Sequence, residues 1–136
     1  MIKKFNVRYL KEILRIEKKA FPKTPYDEFT FLYYAWLYPD NFLMYIEESS
    51  NKIIGYIIFT SDGHIISVAV DYLHRRKEIG TKLVREALKV SRGNARVEVR
   101  ESNKVAQMFY KKLGFTQFDV TQKYYEDENA IVMIHN

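Results

Sequence analysis

Apolar side chains recur at helical spacing at Val7, Leu10, Ile13, Leu14 and Ala20, with charged residues on the other face, so residues 7–20 are expected to form an amphipathic helix. Phe21-Pro22-Lys23-Thr24-Pro25 must end it, because each proline disfavours helical backbone in the residue before it. A second helix follows across 26–37, with Tyr26 or Asp27 near its start, and Pro39-Asp40 turns the chain into a strand at Phe42–Glu47. Asn51-Lys52 reads as a hairpin turn into Ile53–Phe59, and Ser61-Asp62-Gly63 as the next turn. Ile65–Val70 is nearly all apolar, the pattern of a strand buried on both faces.

The cleanest helical stripe comes next, Ile79, Leu83, Val84, Ala87 and Leu88, closed by Gly93-Asn94. Ala95–Val99 is another strand. Val105, Met108, Phe109 and Leu113 line a further helix, which Gly114 stops where a left-handed cap is expected. Phe115–Tyr125 and Ala130–Ile134 read as two closing strands. Two helices, then hairpins, then strand–helix–strand–helix–strand–strand make a mixed α/β (α+β) domain. With no internal repeat, low-complexity tract or flexible linker, residues 1–136 are expected to form a single domain.

Composition narrows the chemistry. A chain of 136 residues buries roughly two-thirds of its unfolded surface, enough for a core without staples. The absence of cysteine removes disulfides, thiolate metal sites and a cysteine nucleophile. His64, His74 and His135 are too few and scattered for a histidine metal site, and are expected to be surface or strand-end residues without a role. No apolar run approaches the roughly 20 residues that span a bilayer, and Met1-Ile2-Lys3-Lys4-Phe5 lacks the apolar core of a secretory signal. A cytoplasmic protein with no membrane partner is therefore expected. The net charge of +5 is localised, since residues 75–104 hold ten Lys/Arg against four Asp/Glu. Such a patch implies an anionic partner, a phosphorylated cofactor or nucleic acid among them.

The most informative stretch is Val68-Ala69-Val70-Asp71-Tyr72-Leu73-His74-Arg75-Arg76-Lys77-Glu78-Ile79-Gly80-Thr81. A buried strand runs into a basic loop that feeds a helix N-terminus, where unpaired amides and the helix dipole favour an anion. A solvated basic loop capping an ordinary helix would have the same pattern. The stretch resembles the acetyl-coenzyme A signature of the GNAT superfamily, Arg/Gln-x-x-Gly-x-Gly/Ala, with Arg75 first and Gly80 last. Val97-Glu98-Val99-Arg100-Glu101-Ser102-Asn103, followed by Phe109-Tyr110-Lys111-Lys112-Leu113-Gly114-Phe115, resembles the RimI-type protein N-terminal acetyltransferases. Tyr124-Tyr125-Glu126-Asp127-Glu128-Asn129-Ala130, with Met133 beyond, is similar to that family's ending. One departure stands out: the signature's first glycine is Glu78 here. At a positive φ, glutamate costs roughly 1–2 kcal/mol there; at helical φ it costs little.

The resemblance implies the GNAT fold, a splayed and mostly antiparallel sheet with helices on both faces, and acetyl-CoA as co-substrate with no metal. It places Arg75, Arg76, Lys77 and the helix start Glu78, Ile79, Gly80 and Thr81 at the pyrophosphate. The strand end Val68, Ala69 and Val70 supplies backbone contacts, the thioester carbonyl meeting an amide at or beside Val70. Asn103 would bind the pantetheine arm. Glu98 would remove the amine proton, through a water, and Tyr110 would protonate the departing thiolate. A strand-surface Glu98 paired with Arg96 or Arg100, and a helix-packing Tyr110, are the alternatives on the residues alone. Without cysteine there is no acetyl-cysteine route, so direct attack in a ternary complex is expected.

By the same resemblance, Phe21, Pro22, Lys23 and Tyr26 on one side and Tyr124 and Tyr125 on the other clamp a peptide backbone. Helix–loop packing is an equal reading for Phe21 and Tyr26, and strand alternation should put one of the two tyrosines in the core. Lys23 suggests a tolerance for acidic residues near the substrate N-terminus. An α-amino group is on the order of a tenth neutral at pH 7, against well under a thousandth for lysine, so a carboxylate base suits an N-terminus better. A protein N-terminus, a ribosomal protein's included, is thus the leading acceptor. A lysine side chain, a small-molecule amine, a non-catalytic CoA binder and a basic RNA- or ribosome-binding module are the other readings. The last finds no known RNA-binding signature in the chain.

Overall fold

The computed structural model describes residues 1–75 and 78–136. These residues form strands β1 (Ile2–Lys4), β2 (Phe42–Glu47), β3 (Lys52–Phe59), β4 (His64–Val70), β5 (Ala95–Arg100), β6 (Thr116–Tyr125) and β7 (Glu128–His135). The α-helices are α1 (Leu10–Ala20), α2 (Glu28–Leu37), α3 (Ile79–Val90) and α4 (Lys104–Lys112). The sheet runs β1-β2-β3-β4-β5-β7-β6, antiparallel at every step but one. The exception is the parallel pair β4–β5, joined only at His64↔Arg96 and Ile65↔Val97. Beyond those pairs β4 stays on β3 as far as Val70, and β5 stays on β7 as far as Arg100. The sheet therefore opens between them.

Each face has its own core. Ile79, Leu83, Val84 and Ala87 of α3, with Tyr110 of α4, pack on Ile57, Phe59, Val97, Val99 and Met133. On the other face Ile13 and Ile16 of α1 and Phe31 of α2 cover Phe42, Met44, Tyr56, Ile58 and Ala69, buried residues of β2 to β4 only. Among the described residues the helical cover of that second face lies over β2 to β4, and the polar side chains of β5 alternate away from the buried Val97 and Val99 towards it.

Local signals act largely as expected. Asp27 Oδ1 accepts the Thr30 N–H at 2.9 Å and caps α2. Gly114, at φ 96, ends α4. Gly93, at φ 86, donates its N–H to Leu88 O at 2.8 Å and closes α3. Three details differ. The first helix begins as a 3-10 turn at Val7–Tyr9, with Val7 exposed, and becomes α-helical only at Leu10. β4 alternates buried and half-buried residues where burial on both faces was expected. β1, three residues on the edge of β2, has no sequence pattern that announces it. Among the described residues no helix is long and apolar enough to cross a membrane.

Candidate active site

Alternation along β5 buries Val97 and Val99 against α3 and α4 and turns Glu98 the other way, just past the last β4–β5 pair. There Glu98 meets His64: Nε2 lies 2.9 Å from Oε2 and 3.0 Å from Oε1, with the two side chains 26% and 17% exposed. Glu98 thus faces His64 and not Arg96 or Arg100, the partners of the alternative reading, and His64, the first residue of β4, is a strand-end residue as expected but one bonded to Glu98. The other histidines are engaged too, His74 with Glu47 at 3.4 Å and His135 Nδ1 with Gly93 O at 2.6 Å. Tyr125 donates its hydroxyl to Glu98 O at 3.4 Å. Burial, then the Tyr124 ring, pushes the Tyr125 hydroxyl up to about 12, against the pull of Arg100. Tyr124 is 51% exposed and Tyr125 half-buried, and their rings meet edge-on with centres 5.0 Å apart, so neither lies in the core and the expected alternation fails where the β6–β7 pairing is irregular between Thr121 and Tyr125. Burial also raises Tyr124, with the Glu98 charge adding to it.

Tyr110 is 4% exposed, set edge-on to Phe109 and Phe115. Burial, with Tyr125 adding to it, raises its hydroxyl well above the ordinary tyrosine range.

The α1–α2 loop and the β6–β7 hairpin are tied together by charge. Lys23 Nζ lies 3.3 Å from Asp127 Oδ2 and 3.4 Å from Glu128 Oε2. Arg100 donates to Asp127 Oδ1 at 2.7 Å, to Glu128 Oε2 at 3.1 Å and to Thr24 Oγ1 at 2.9 Å, with its guanidinium 4.1 Å from the Tyr125 ring centre. Ser102 gives Glu128 its amide at 2.9 Å and its hydroxyl at 3.0 Å. The Ser102 bonds first, then Arg100 and Lys23, hold the Glu128 carboxyl down to about 2. Arg100 lowers Asp127 and is itself raised, its bonds outweighing its burial. Lys23, on which the expected tolerance for acidic substrate residues rests, thus faces two carboxylates of the chain itself.

Sequence reasoning also missed Glu17. Its carboxylate is 1% exposed, accepts the Tyr26 N–H at 2.9 Å and the Tyr56 hydroxyl, and Tyr56 in turn bonds Ser67 Oγ at 2.9 Å. Burial raises its pKa against those two bonds. Glu17 thus pins the backbone of the 21–27 loop to the core, while the Tyr26 ring packs on Phe31 and Tyr34. Phe21 and Pro22 lie in the same loop, Phe21 against the α1–α2 core.

On the opposite side of the opening, Val68, Ala69 and Val70 form the end of β4. Arg75 is exposed beside the Tyr72 ring, its guanidinium 5.6 Å from the ring centre, while Arg76 and Lys77 lie outside the described residues. The amides of Ile79, Gly80 and Thr81 precede the first intrahelical bond of α3, Lys82 N–H to Glu78 O. A Cβ on Gly80 would come 3.3 Å from the Phe109 ring, so the glycine lets α3 lie close to α4. Glu78 adopts φ 60 and ψ 20, the left-handed backbone at which the family signature carries glycine. Asn103 caps α4, its Oδ1 accepting the Ala106 N–H at 3.0 Å. The residues at hand, an arginine and unpaired helix-start amides at a sheet opening, fit a phosphorylated, extended ligand. Among them no cluster of three metal-ligating side chains occurs.

Residues 10–115 match the Acetyltransferase (GNAT) family. The chain belongs to that family. It is an N-acetyltransferase, and acetyl-CoA is the acetyl donor. An uncharacterized N-acetyltransferase of Methanocaldococcus jannaschii is 38% identical, over 98% of this chain and 90% of its own length. An N-alpha-acetyltransferase of Sulfurisphaera tokodaii is 32% identical, over 90% of this chain and 84% of its own length. The crystal structure of Ard1 from Thermoplasma volcanium superposes with a TM-score of 0.88 at 28% identity, covering 98% of this chain and 95% of that one. The ribosomal-protein-S18-alanine N-acetyltransferase of Escherichia coli gives 0.80 at 25% identity, covering 98% and 91%. The GNAT fold expected from the motifs is the fold observed.

Proposed function

We propose that this GNAT acetyltransferase acetylates the α-amino group of protein N-termini by direct attack in a ternary complex. The observation that carries this reading is the meeting of Glu98 with His64 and Tyr125 where β4 and β5 part. Acetyl-CoA supplies the activated acyl group; the chain supplies the proton handling. Glu98 takes the amine proton through a water, and His64 Nε2 fixes the direction of its carboxylate. Tyr110 carries its proton at neutral pH as tyrosines ordinarily do, burial raising its hydroxyl further, and it passes that proton to the leaving sulfur. Arg75 and the amides at the start of α3 hold the phosphates, and Asn103 sits where the pantetheine arm passes. Phe21, Pro22 and Lys23 on one side and Tyr124 and Tyr125 on the other flank the acceptor peptide, with Tyr26 supporting the loop.

An α-amine suits this base, being on the order of a tenth neutral at pH 7 where lysine is under a thousandth. The names borne by the Sulfurisphaera and Escherichia relatives point the same way and make ribosomal-protein N-termini the first acceptors to try. Peptides with a free N-terminus, compared by mass spectrometry with Nα-blocked peptides carrying an internal lysine, test the acceptor. At least a tenfold preference for the free N-terminus is expected; equal rates would overturn the reading. Glu98→Gln should lower kcat about 100-fold or more, and His64→Gln roughly tenfold. A Glu98→Gln enzyme retaining half its activity would remove Glu98 from the mechanism.

A further inference from the structure

Arg100 stands on β5, two residues from Glu98, yet reaches both walls of the acceptor cleft. Across the cleft it donates to Thr24 Oγ1 in the α1–α2 loop, at 2.9 Å. On its own side it holds Asp127 and Glu128 of the β6–β7 hairpin, at 2.7 and 3.1 Å, and lies over the Tyr125 ring. Lys23 closes the same circuit from the loop side onto the same two carboxylates. The guanidinium is 14% exposed and Glu128 15%, so these contacts are only partly open to water and salt. The fork geometry of arginine lets one group satisfy partners in three directions, which the single ammonium of lysine cannot do.

We infer that Arg100 is a positioning residue that ties the α1–α2 loop to the β6–β7 hairpin and so sets the width and register of the peptide cleft. It touches neither the reacting atoms nor, in its assigned place, the acetyl donor; it acts through Thr24, Tyr125 and the hairpin carboxylates. The inference rests on the peptide-cleft reading given above. Its consequence is selective. Loosening the tie should weaken peptide binding while leaving the β4–α3 side of the opening, where acetyl-CoA is assigned, undisturbed.

Arg100→Gln tests this with three readouts. Peptide KM should rise at least tenfold with kcat within about threefold, and acetyl-CoA affinity by calorimetry should stay within twofold. Arg100→Lys should recover part of the KM loss, since it restores the charge without the fork. Lys23→Met and Arg100→Gln act on one tie, so the double variant should lose clearly less than the product of the single losses. Independently of any activity, amide hydrogen exchange over residues 21–26 and 124–128 should quicken in Arg100→Gln and in Thr24→Val. If Arg100→Gln does not fold, Thr24→Val, on the exposed loop, should give the same KM signature. A peptide KM within twofold of the native value, or multiplicative losses in the double variant, would overturn the tie. If the native chain acetylates no peptide, the proposed function fails, and the exchange measurement decides the tie alone: unchanged exchange overturns it.

Discussion

Replacing Glu78 separates two costs that its side chain imposes on the start of α3. The residue is exposed, sits at φ 60 and ψ 20, and makes no capping bond to the helix it precedes. A Cβ in that left-handed conformation costs roughly 1–2 kcal/mol relative to glycine. Glycine surrenders about 0.4–1 kcal/mol of this through the greater freedom of the unfolded chain. The carboxylate itself favours the helix dipole by about 0.3–1 kcal/mol, a term that both Glu78→Gln and Glu78→Gly lose. Gln is therefore the reference for backbone strain, keeping Cβ and losing charge. Glu78→Gly should be more stable than Glu78→Gln by roughly 0.5–1 kcal/mol, a rise in Tm of about 2–5 °C.

Acetyl-CoA binding reads the second cost. A fixed negative charge beside the helix-start amides opposes a phosphate there by about 1 kcal/mol, so both variants should bind acetyl-CoA about fivefold more tightly than the native chain. Thermal unfolding followed by circular dichroism measures the first effect and isothermal titration the second. A Glu78→Gly protein no more stable than Glu78→Gln would show that residue 78 is not left-handed in solution. Unchanged acetyl-CoA affinity in both variants would show that the phosphates lie elsewhere than at the start of α3.

Two further predictions concern pH. Glu128 titrates at about 2 in the fold against an ordinary 4.5, so its stabilising contribution is complete above 4.5 and fades as pH falls towards 2. The gap in Tm between the native chain and Glu128→Gln should hold steady from about pH 7 to 5 and close below; a gap unchanged at about pH 2 would refute the assigned bonds. Glu17 is shifted in the other direction, raised by burial, so the fold binds its proton more tightly than the unfolded chain and gains stability as pH falls towards 4.5. From about pH 7 to 5 the Tm difference between native and Glu17→Gln should move in favour of the native chain, and movement the other way would place Glu17 outside the core.

What was legible in the sequence was what depends on neighbours along the chain. The α3 stripe of Ile79, Leu83, Val84 and Ala87 is buried as its spacing requires, and Gly114 has the positive φ its place after α4 demands. Val7 fits the first helical stripe by spacing alone and is exposed, because the chain is still a 3-10 turn there. Glu98 and Tyr110 were found through motif frames; alternation says that Glu98 faces away from Val97 and Val99 but not what it faces. Its partner His64 is 34 residues away, and Thr24 is 76 residues from Arg100. Glu17 reads as one more charged position on a helix, and only the Tyr56 hydroxyl and the Tyr26 amide explain its burial. Contacts that long in sequence leave no periodic trace.

The place of Glu98 follows from register rather than from any contact of its own side chain. Six consecutive pairs, from Ala95↔His135 to Arg100↔Ala130, lock β5 to β7 and fix which residues face α3. A slip of one residue would turn Glu98 into the apolar core and Val97 into the cleft, which the burial of Val97 and Val99 forbids. On the other side β4 is locked to β3 in the same way, with its last pair at Gly55↔Val70, where a Cβ on Gly55 would stand 3.1 Å from Ala69 O. Two well-registered half-sheets thus meet at two residue pairs and then part, leaving edge amides and carbonyls of β4 and β5 without each other as partners. An extended ligand is what such edges can accept, and Glu98, one residue beyond the last pair, is carried to the apex of the opening by the hydrogen-bond ladder itself.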